Sequence, residues 1–397
     1  MAEHNNAICM SSAKDIENIE NIENAGRLTL LVDMGWMTMR YFSVLLKDFD
    51  TSLHEEIREE ASERLASMIS KSITSCLCQF DCVDNIILCS EGGSWRKDWP
   101  RPKVLEGIEY KGNRAHPIKF DWDRVWKASS RICKGAEELG ITVSVTKGAE
   151  GDDWMWYWTG LLRSRGTSSI IWSSDNDLKA LCGQDPVTGA WTAWYNDKAG
   201  LWLPQSLDSG NIPLIDLFMG GAAVLEDPVL ERVRSRVKAV RFFNPDDIAV
   251  DKVIWGDQGD NIPPVAVRSK GGRNYRIPKG QWKAIRESLG INSMESLSQK
   301  REEAAEAIES LGGFGTSHDI LECLDYNTRM VWLSDRTIPK GIINRMKECK
   351  LRQAPVRDLR VNSELLMGPG DDGPDIPEDL IASEEEIGNL EIGGLAF

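Results

Sequence analysis

Apolar positions in this chain fall into short β-branched runs separated by longer helical patterns, the alternation expected of an α/β protein. Leu28 to Val32 is a continuous apolar run, as a parallel strand covered on both faces requires, and it ends at Asp33, followed by Gly35 and a helical segment. A helical stretch from about Leu53 to Cys78 leads into a second strand, Asn85 to Cys89, which stops just before Glu91. Phe120 to Gly140 reads as helix and Ile141 to Val145 as a third strand; Glu150, Asp152 and Asp153 follow, with a helix opening at Asp152. Ser169 to Trp172 is a fourth strand, with Asp175 and Asp177 just beyond it. In the helical run WMWYW, Trp154, Tyr157 and Trp158 share one face, which reads as core.

Between these elements the pattern breaks. From 92 to 119 the chain is rich in Gly, Pro, aromatic and basic residues and reads as a working loop, where Trp95, Trp99 and Tyr110 offer flat faces for bases. QDPVTGAWTAWYNDKAGLWLP reads as a hairpin and Ser206 to Arg241 as largely helical. A helical run then precedes Asp257 and Asp260, and from Gln281 to Lys350 helical segments alternate with Gly-rich breaks. The domain reading is a lead-in over 1–26, a core over 27–245, a helical subdomain over 246–362 and an acidic tail over 363–397.

Composition changes this picture in two ways. No run approaches the roughly eighteen apolar residues of a membrane span, and the N-terminus lacks the order of a signal peptide, so a cytoplasmic monomer with nine reduced cysteines is expected. The net charge of −15 would disfavour a nucleic-acid partner, but its distribution is uneven. Ten acidic and no basic residues lie from Val361 to Phe397, whereas Arg268 to Arg286 holds seven basic residues and no acidic one. The tail ends in the apolar segment Gly393 to Phe397, where Leu395 and Phe397 suit a docking peptide; a merely solubilising tail is the equal alternative.

Carboxylates at the ends of adjacent strands meet in the crevice where open α/β sheets bind ligands. Two such charges about 4 Å apart repel by roughly 4 kcal/mol at an effective dielectric near 20, so the cluster calls for a cation, and hard oxygen ligands select Mg²⁺ or Mn²⁺. Helix capping by the same residues is the competing reading of this stretch.

LVDMG, SWRKD, YKGNR, AEGDD, SSDNDL and GDQGDNIP occur in the order found in the flap-endonuclease-like (PIN-like) 5′ nucleases, and within that superfamily the chain is most similar to the ribonuclease H and 5′-3′ exonuclease group of T-even-type bacteriophages. The resemblance spans about Leu28 to Lys350. It implies a mainly parallel sheet flanked by helices, a helical arch and a C-terminal helical DNA-binding subdomain. It also implies that Asp33, Glu91, Glu150, Asp152, Asp153, Asp175, Asp177, Asp257 and Asp260 surround two Mg²⁺ ions, for which Mn²⁺ would substitute. Lys111, Arg114 and Arg96 would act on the scissile phosphate, while Lys97, Arg268, Lys270, Arg273 and Arg276 would track DNA. Two departures stand out: Glu91 replaces the family's usual Asp, and Gly151 its usual Ala.

The implied activity is a Mg²⁺-dependent 5′-3′ exonuclease, flap endonuclease and ribonuclease H. It would act on RNA/DNA hybrids and 5′-flap or duplex DNA, removing primers during phage-type replication in the host cytoplasm, with a single-strand-binding protein and a sliding clamp as partners. An aspartyl-nucleophile phosphohydrolase is disfavoured because Gly35, not a carboxylate, stands two residues after Asp33. A non-enzymatic junction-binding protein is disfavoured because every expected acidic position is occupied.

Overall fold

All six residues of strand β1, Leu28–Asp33, are buried, which requires cover on both faces of the sheet. The computed structural model describes residues 28–45, 55–80, 82–112, 122–207, 240–270 and 273–367. Two units are present: one contains the described residues up to Gly93, from 122 to Phe243 and from Lys340 onward, the other residues 94–112 and Asn244 to Pro339.

The first unit is an α/β sheet with β1, Asn85–Cys89 (β2), Thr142–Ser144 (β3), Ser168–Trp172 (β4), Gly183–Gln184 (β5), Trp191–Asn196 (β6), Gly200–Pro204 (β7) and Val240–Phe243 (β8). The order is β3-β2-β1-β4-β6-β7-β8, with β5 paired to β6. The first five in that order are mutually parallel; β7 turns back against β6 and β8 runs parallel to β7. β8 begins inside the stretch expected to be helical, and Val240 and Arg241 correct that expectation: they pair with Leu201 and Trp202, and Phe243 packs edge-on against Trp202. Residues 208–239 lie outside the described residues.

Met34–Leu45 (α1), Glu55–Gln79 (α2) and Trp122–Glu138 (α3) cover one face. On α2 the buried stripe Leu65, Ile69, Ile73 and Leu77 repeats at intervals of four, the helical period of a core face. Burial of each such side chain contributes about 1.5–3 kcal/mol. Gly151–Ser164 (α4) packs against β1, β2 and β4. Trp154, Tyr157 and Trp158 are essentially unexposed there and meet in edge-to-face pairs, as the core reading expects.

The second unit contains helices Pro245–Trp255 (α5), Lys279–Leu289 (α6), Met294–Gln299 (α7), Arg301–Ser310 (α8) and Ser317–Val331 (α9). Its hairpin, Val267–Lys270 (β9) with Arg273–Arg276 (β10), shows that the basic stretch is not wholly helical. The described part of the expected helical arch, 94–112, contains one 3₁₀ turn at Lys103–Leu105 and no α-helix. It is also less open than its composition suggested. Trp95, Leu105 and Tyr110 are buried, so the first and last of these aromatic rings serve packing and not exposed base stacking.

The chain then returns to the first unit as Lys340–Met346 (α10), Val356–Val361 (α11) and a 3₁₀ turn at Ser363–Met367. Arg360 donates to the carbonyls of Leu77, Phe80 and Val83 at the end of α2, and Asn85 Nδ2 donates to the Arg352 carbonyl at 3.1 Å. Leu366 has no exposed surface. The expected boundary at Asn362 is therefore displaced: Lys340 to Met367 belong with the sheet, and the second unit ends at Pro339. The lead-in 1–26 and the tail from 368 lie outside the described residues.

Candidate active site

Register places the acidic strand ends side by side. Asp33 pairs with Cys89 and Cys89 with Ser144, while Val32 pairs with Trp172, so β3, β2, β1 and β4 finish at one edge. The chain runs from β1 outward to β2 and β3, then crosses to β4 on the other side of β1, which makes the gap between β1 and β4 a topological switch point. Asp33 is buried at 7% exposure there. Its Oδ1 accepts from the Trp36 backbone N–H at 2.9 Å, capping α1, and its Oδ2 accepts from the Ser173 hydroxyl at 2.6 Å. Ser173 Oγ in turn accepts from the Asp175 N–H, and Asp175 Oδ1 from the Asp177 N–H, each at 2.9 Å. One polar chain thus links Asp33, Asp175 and Asp177. Ser173 was not singled out in the sequence; its only signal there is a hydroxyl two positions before Asp175.

Glu91 reaches the same edge through close backbone approach. Gly92 N–H donates to the Ala149 carbonyl at 2.9 Å and Gly148 N–H to the Gly92 carbonyl at 2.6 Å. A Cβ on Gly92 would stand 2.0 Å from the Thr146 carbonyl oxygen, so only glycine permits this pairing. Glu91 Oε1 lies 3.0 Å from where a Gly35 Cβ would be and 3.1 Å from a Gly151 Cβ, and Asp33 Oδ1 is 3.6 Å from the first of these positions. Two missing methyl groups therefore make the cradle that accepts the longer carboxylate. The departures at Glu91 and Gly151 fit each other.

Glu150 and Asp153 close a capping box at the start of α4, with Asp153 Oδ2 accepting from the Glu150 N–H at 3.0 Å. Both are buried, Asp153 completely, whereas Asp152 between them is half-buried. The two readings of this acidic stretch thus apply to different residues: capping accounts for one oxygen of Asp153, and Asp152 is left at the carboxylate edge. Burial, and then the charges of Asp33 and, more weakly, Asp152, push the Cys89 thiol well above its ordinary pKa.

In the second unit, α5 ends at Gly256, whose φ of 68° turns the chain into a loop closed by reciprocal backbone bonds between Asp257 and Ile262. Lys252 Nζ lies 2.8 Å from Asp257 Oδ2 and 3.7 Å from Asp260 Oδ2. This lysine offsets part of the negative charge of the pair. Lys111 N–H donates to the Asp260 carbonyl at 2.9 Å, and Asn261 Nδ2 donates to the Glu109 carbonyl at 2.7 Å. Lys111 and Asn261 are the non-glycine residues with positive φ among the described residues, at 57° and 54°, the kind of backbone strain that gathers at functional loops.

Other basic candidates are placed unevenly. Arg96 is 3% exposed, its guanidinium stacked 4.5 Å from the Trp95 ring and its Nε donating to the Met330 carbonyl, contacts that anchor 94–112 onto α9. Lys97 is half-buried. Arg268 and Arg276 are exposed on the hairpin, where Arg268 faces Tyr275 across the strands and lies 5.6 Å over the Phe314 ring. The backbones of Lys270 and Arg273 pair in that hairpin, whereas Arg114 lies outside the described residues.

The donors at the sheet edge are carboxylate oxygens, and the cradle made by Gly35 and Gly151 keeps space around Glu91; this set fits a hard divalent cation.

No protein-family model matches this sequence, and no curated protein matches it. Solved structures do. The T5 D15 protein crystallised with metal ions is similar with a TM-score of 0.48 and 13% identity, covering 84% of this chain and 100% of that one. The bacteriophage T5 D15 flap endonuclease, in a pseudo-enzyme–product complex with DNA and metal ions, gives 0.47 and 15%, covering 85% and 100%. T5 5′-exonuclease with zinc bound gives 0.44 and 14%, covering 84% and 100%. Among the described residues no helix is long and apolar enough to cross a membrane.

Proposed function

We propose that this protein is a divalent-metal-dependent 5′ nuclease that cuts RNA/DNA hybrids and 5′-flap or duplex DNA, with primer and flap removal in replication as its role. The observation that carries the reading is the row of acidic strand ends at the switch point, where Asp33, Glu91 and Asp175 share one edge with Asp152. Asp33, Glu91, Asp152, Asp175 and Asp177 would hold Mg²⁺. The cation would supply positive charge against the oxyanions of the scissile phosphate and lower the pKa of an attacking water.

The protein's own groups do the remaining work. Glu150 and Asp153 fix the start of α4 and with it the position of Asp152, while Ser173 holds Asp33 and Asp175 in one arrangement. Lys111 would stabilise phosphate oxygens as charge develops, and Arg114 would share that task. The hairpin arginines and Lys270 would supply backbone affinity that does not depend on sequence.

The test offers an end-labelled 5′-flap duplex and an end-labelled RNA-primed duplex, each with Mg²⁺ or with EDTA. Mg²⁺-dependent release of short 5′ products is expected, abolished by Asp175→Asn with DNA binding retained. Product formation in EDTA, or undiminished turnover by Asp175→Asn, would overturn the assignment.

A further inference from the structure

The second unit contains a cavity of about 630 Å³ between the 99–102 segment and α9, walled by four arginines and three aromatic rings: Arg101, Arg301, Arg329 and Arg336 with Trp99, Tyr326 and Trp332. Three of the guanidiniums are held by the rings. Arg329 lies 4.1 Å over Trp99 and Arg336 5.9 Å over Trp332, while Arg101 lies against the Tyr326 hydroxyl. Prolines at 100 and 102 restrict the backbone on both sides of Arg101, so its presentation loses little entropy on binding.

The charge balance is positive. Of the acids in the wall, Asp325 pairs with Arg301 at 3.3 Å and Glu322 faces His318 at 3.7 Å. Arg101, Arg329 and Arg336 form no ion pair with a carboxylate among the described residues. Arg329 feels the charge of Asp325 one turn earlier on α9, which leaves Arg101 and Arg336 as the guanidinium forks that match phosphate oxygens.

We propose that this cavity is a phosphate site that holds the backbone of single-stranded nucleic acid, with the half-buried Trp99 beside it to receive a base. Shape suits the single strand: an open groove of about 630 Å³ admits one backbone and one base, whereas a duplex presents a broad convex side. Trp99 selects nucleic acid over an acidic peptide, because a base packs on an indole ring and a carboxylate does not. The proposal rests on the nuclease reading for the kind of polymer, and it assigns Arg101, Arg329 and Arg336, to which that reading gives no role.

The experiment uses the full chain in EDTA, so that binding is read without turnover. A fluorescent oligothymidylate and a fluorescent blunt duplex are titrated against the protein at several salt concentrations, with inorganic phosphate and an oligoglutamate peptide as competitors. Arg101 and Arg336 are exposed, so Arg101→Gln, Arg336→Gln and their combination should keep the native melting transition. The double variant should bind the oligothymidylate about tenfold more weakly, and its log–log salt slope should be shallower by about 1.4, the share of two phosphate contacts on a single strand. Duplex affinity and Mg²⁺-dependent hydrolysis of the blunt duplex should stay at the wild-type level, and phosphate should compete. Unchanged oligothymidylate affinity, an equal loss for duplex, or displacement by oligoglutamate alone would overturn the proposal. Absence of hydrolysis by the wild type, with the single-strand defect still present, would instead count against the nuclease reading.

Discussion

The Ser173 hydroxyl donates to Asp33 Oδ2 at 2.6 Å while accepting from the Asp175 N–H, so a single side chain ties the end of β1 to the end of β4. A hydrogen bond to a charged acceptor contributes about 1.5–3 kcal/mol. Ser173→Ala should leave the fold intact and raise the Mg²⁺ concentration for half-maximal cleavage by about 10–100-fold, the usual effect of removing an outer partner of a ligand. Mg²⁺ titration of the single-turnover rate checks this; an unshifted midpoint would remove Ser173 from the site.

Glu91 and Gly151 should behave as a coupled pair. Gly151→Ala places a methyl group 3.1 Å from Glu91 Oε1, tighter than ordinary contact, so it should displace that carboxylate and lower cleavage, and Glu91→Asp in the same chain should restore much of it. A double-mutant cycle on the single-turnover rate measures the coupling, and additive losses would refute it.

Lys111 and Lys270 should separate kinetically. Lys111→Ala should lower the rate at saturating enzyme, whereas Lys270→Ala should weaken DNA binding and flatten its salt dependence. Affinity defects alone in both variants would deny Lys111 a part in the chemistry.

Lys179 carries a pH prediction. It is 7% exposed, its Nζ 3.7 Å from the Trp202 ring centre and 4.3 Å from that of Trp194, and it donates to Asn176 Oδ1 beside the two loop aspartates. Burial lowers its ammonium pKa below the ordinary value of 10.5, with Cys182 opposing and Arg241 adding to the effect. Because the folded pKa lies below the unfolded one, the unfolded chain binds more protons in the window between them, and this group's contribution to stability improves as pH rises toward 10.5. Urea midpoints of wild type minus Lys179→Met should therefore increase with pH in that alkaline window, and a pH-independent difference would contradict the burial argument.

Much of the sheet was legible because β1, β2 and β4 each contain a short apolar run, Leu30–Val32, Ile86–Cys89 and Ile170–Trp172, and an acidic residue within three positions of such a run's end lies at the ligand-binding edge whatever the rest of the fold does. The Ser173 bridge was not legible, since it depends on β1 and β4 being register partners across 140 residues. Nor was the Glu91 cradle, which consists of absent atoms at Gly35 and Gly151. Val240 and Arg241 misled because two residues at the end of a segment are periodic in neither sense; pairing with β7 made them part of a strand. Arg96 and Trp95 misled because a stretch rich in charge and proline looks solvated, yet the guanidinium and the indole stack on one another in the interior.

The return of Lys340 to Met367 to the first unit governs how the protein can be made and shortened. Arg360 seals the carbonyls at the end of α2, the Arg131 Nε donates to the Met367 carbonyl, Ser70 reaches the Ser363 carbonyl, and Leu366 completes the core. A ribosome must therefore synthesise the whole inserted unit, from Asn244 to Pro339, before the sheet receives its last cover. Removing the acidic tail after Met367 should leave the melting temperature and cleavage of a small flap unchanged, whereas ending the chain at Asn362 should lower the melting temperature and promote aggregation by uncovering α2. Thermal melts of the two truncations decide it, and equal stability would refute the argument. For the nascent chain, the covering turn makes synthesis through Met367 a condition for a closed core, so a product terminated before that turn is a substrate for quality control and not a partial enzyme.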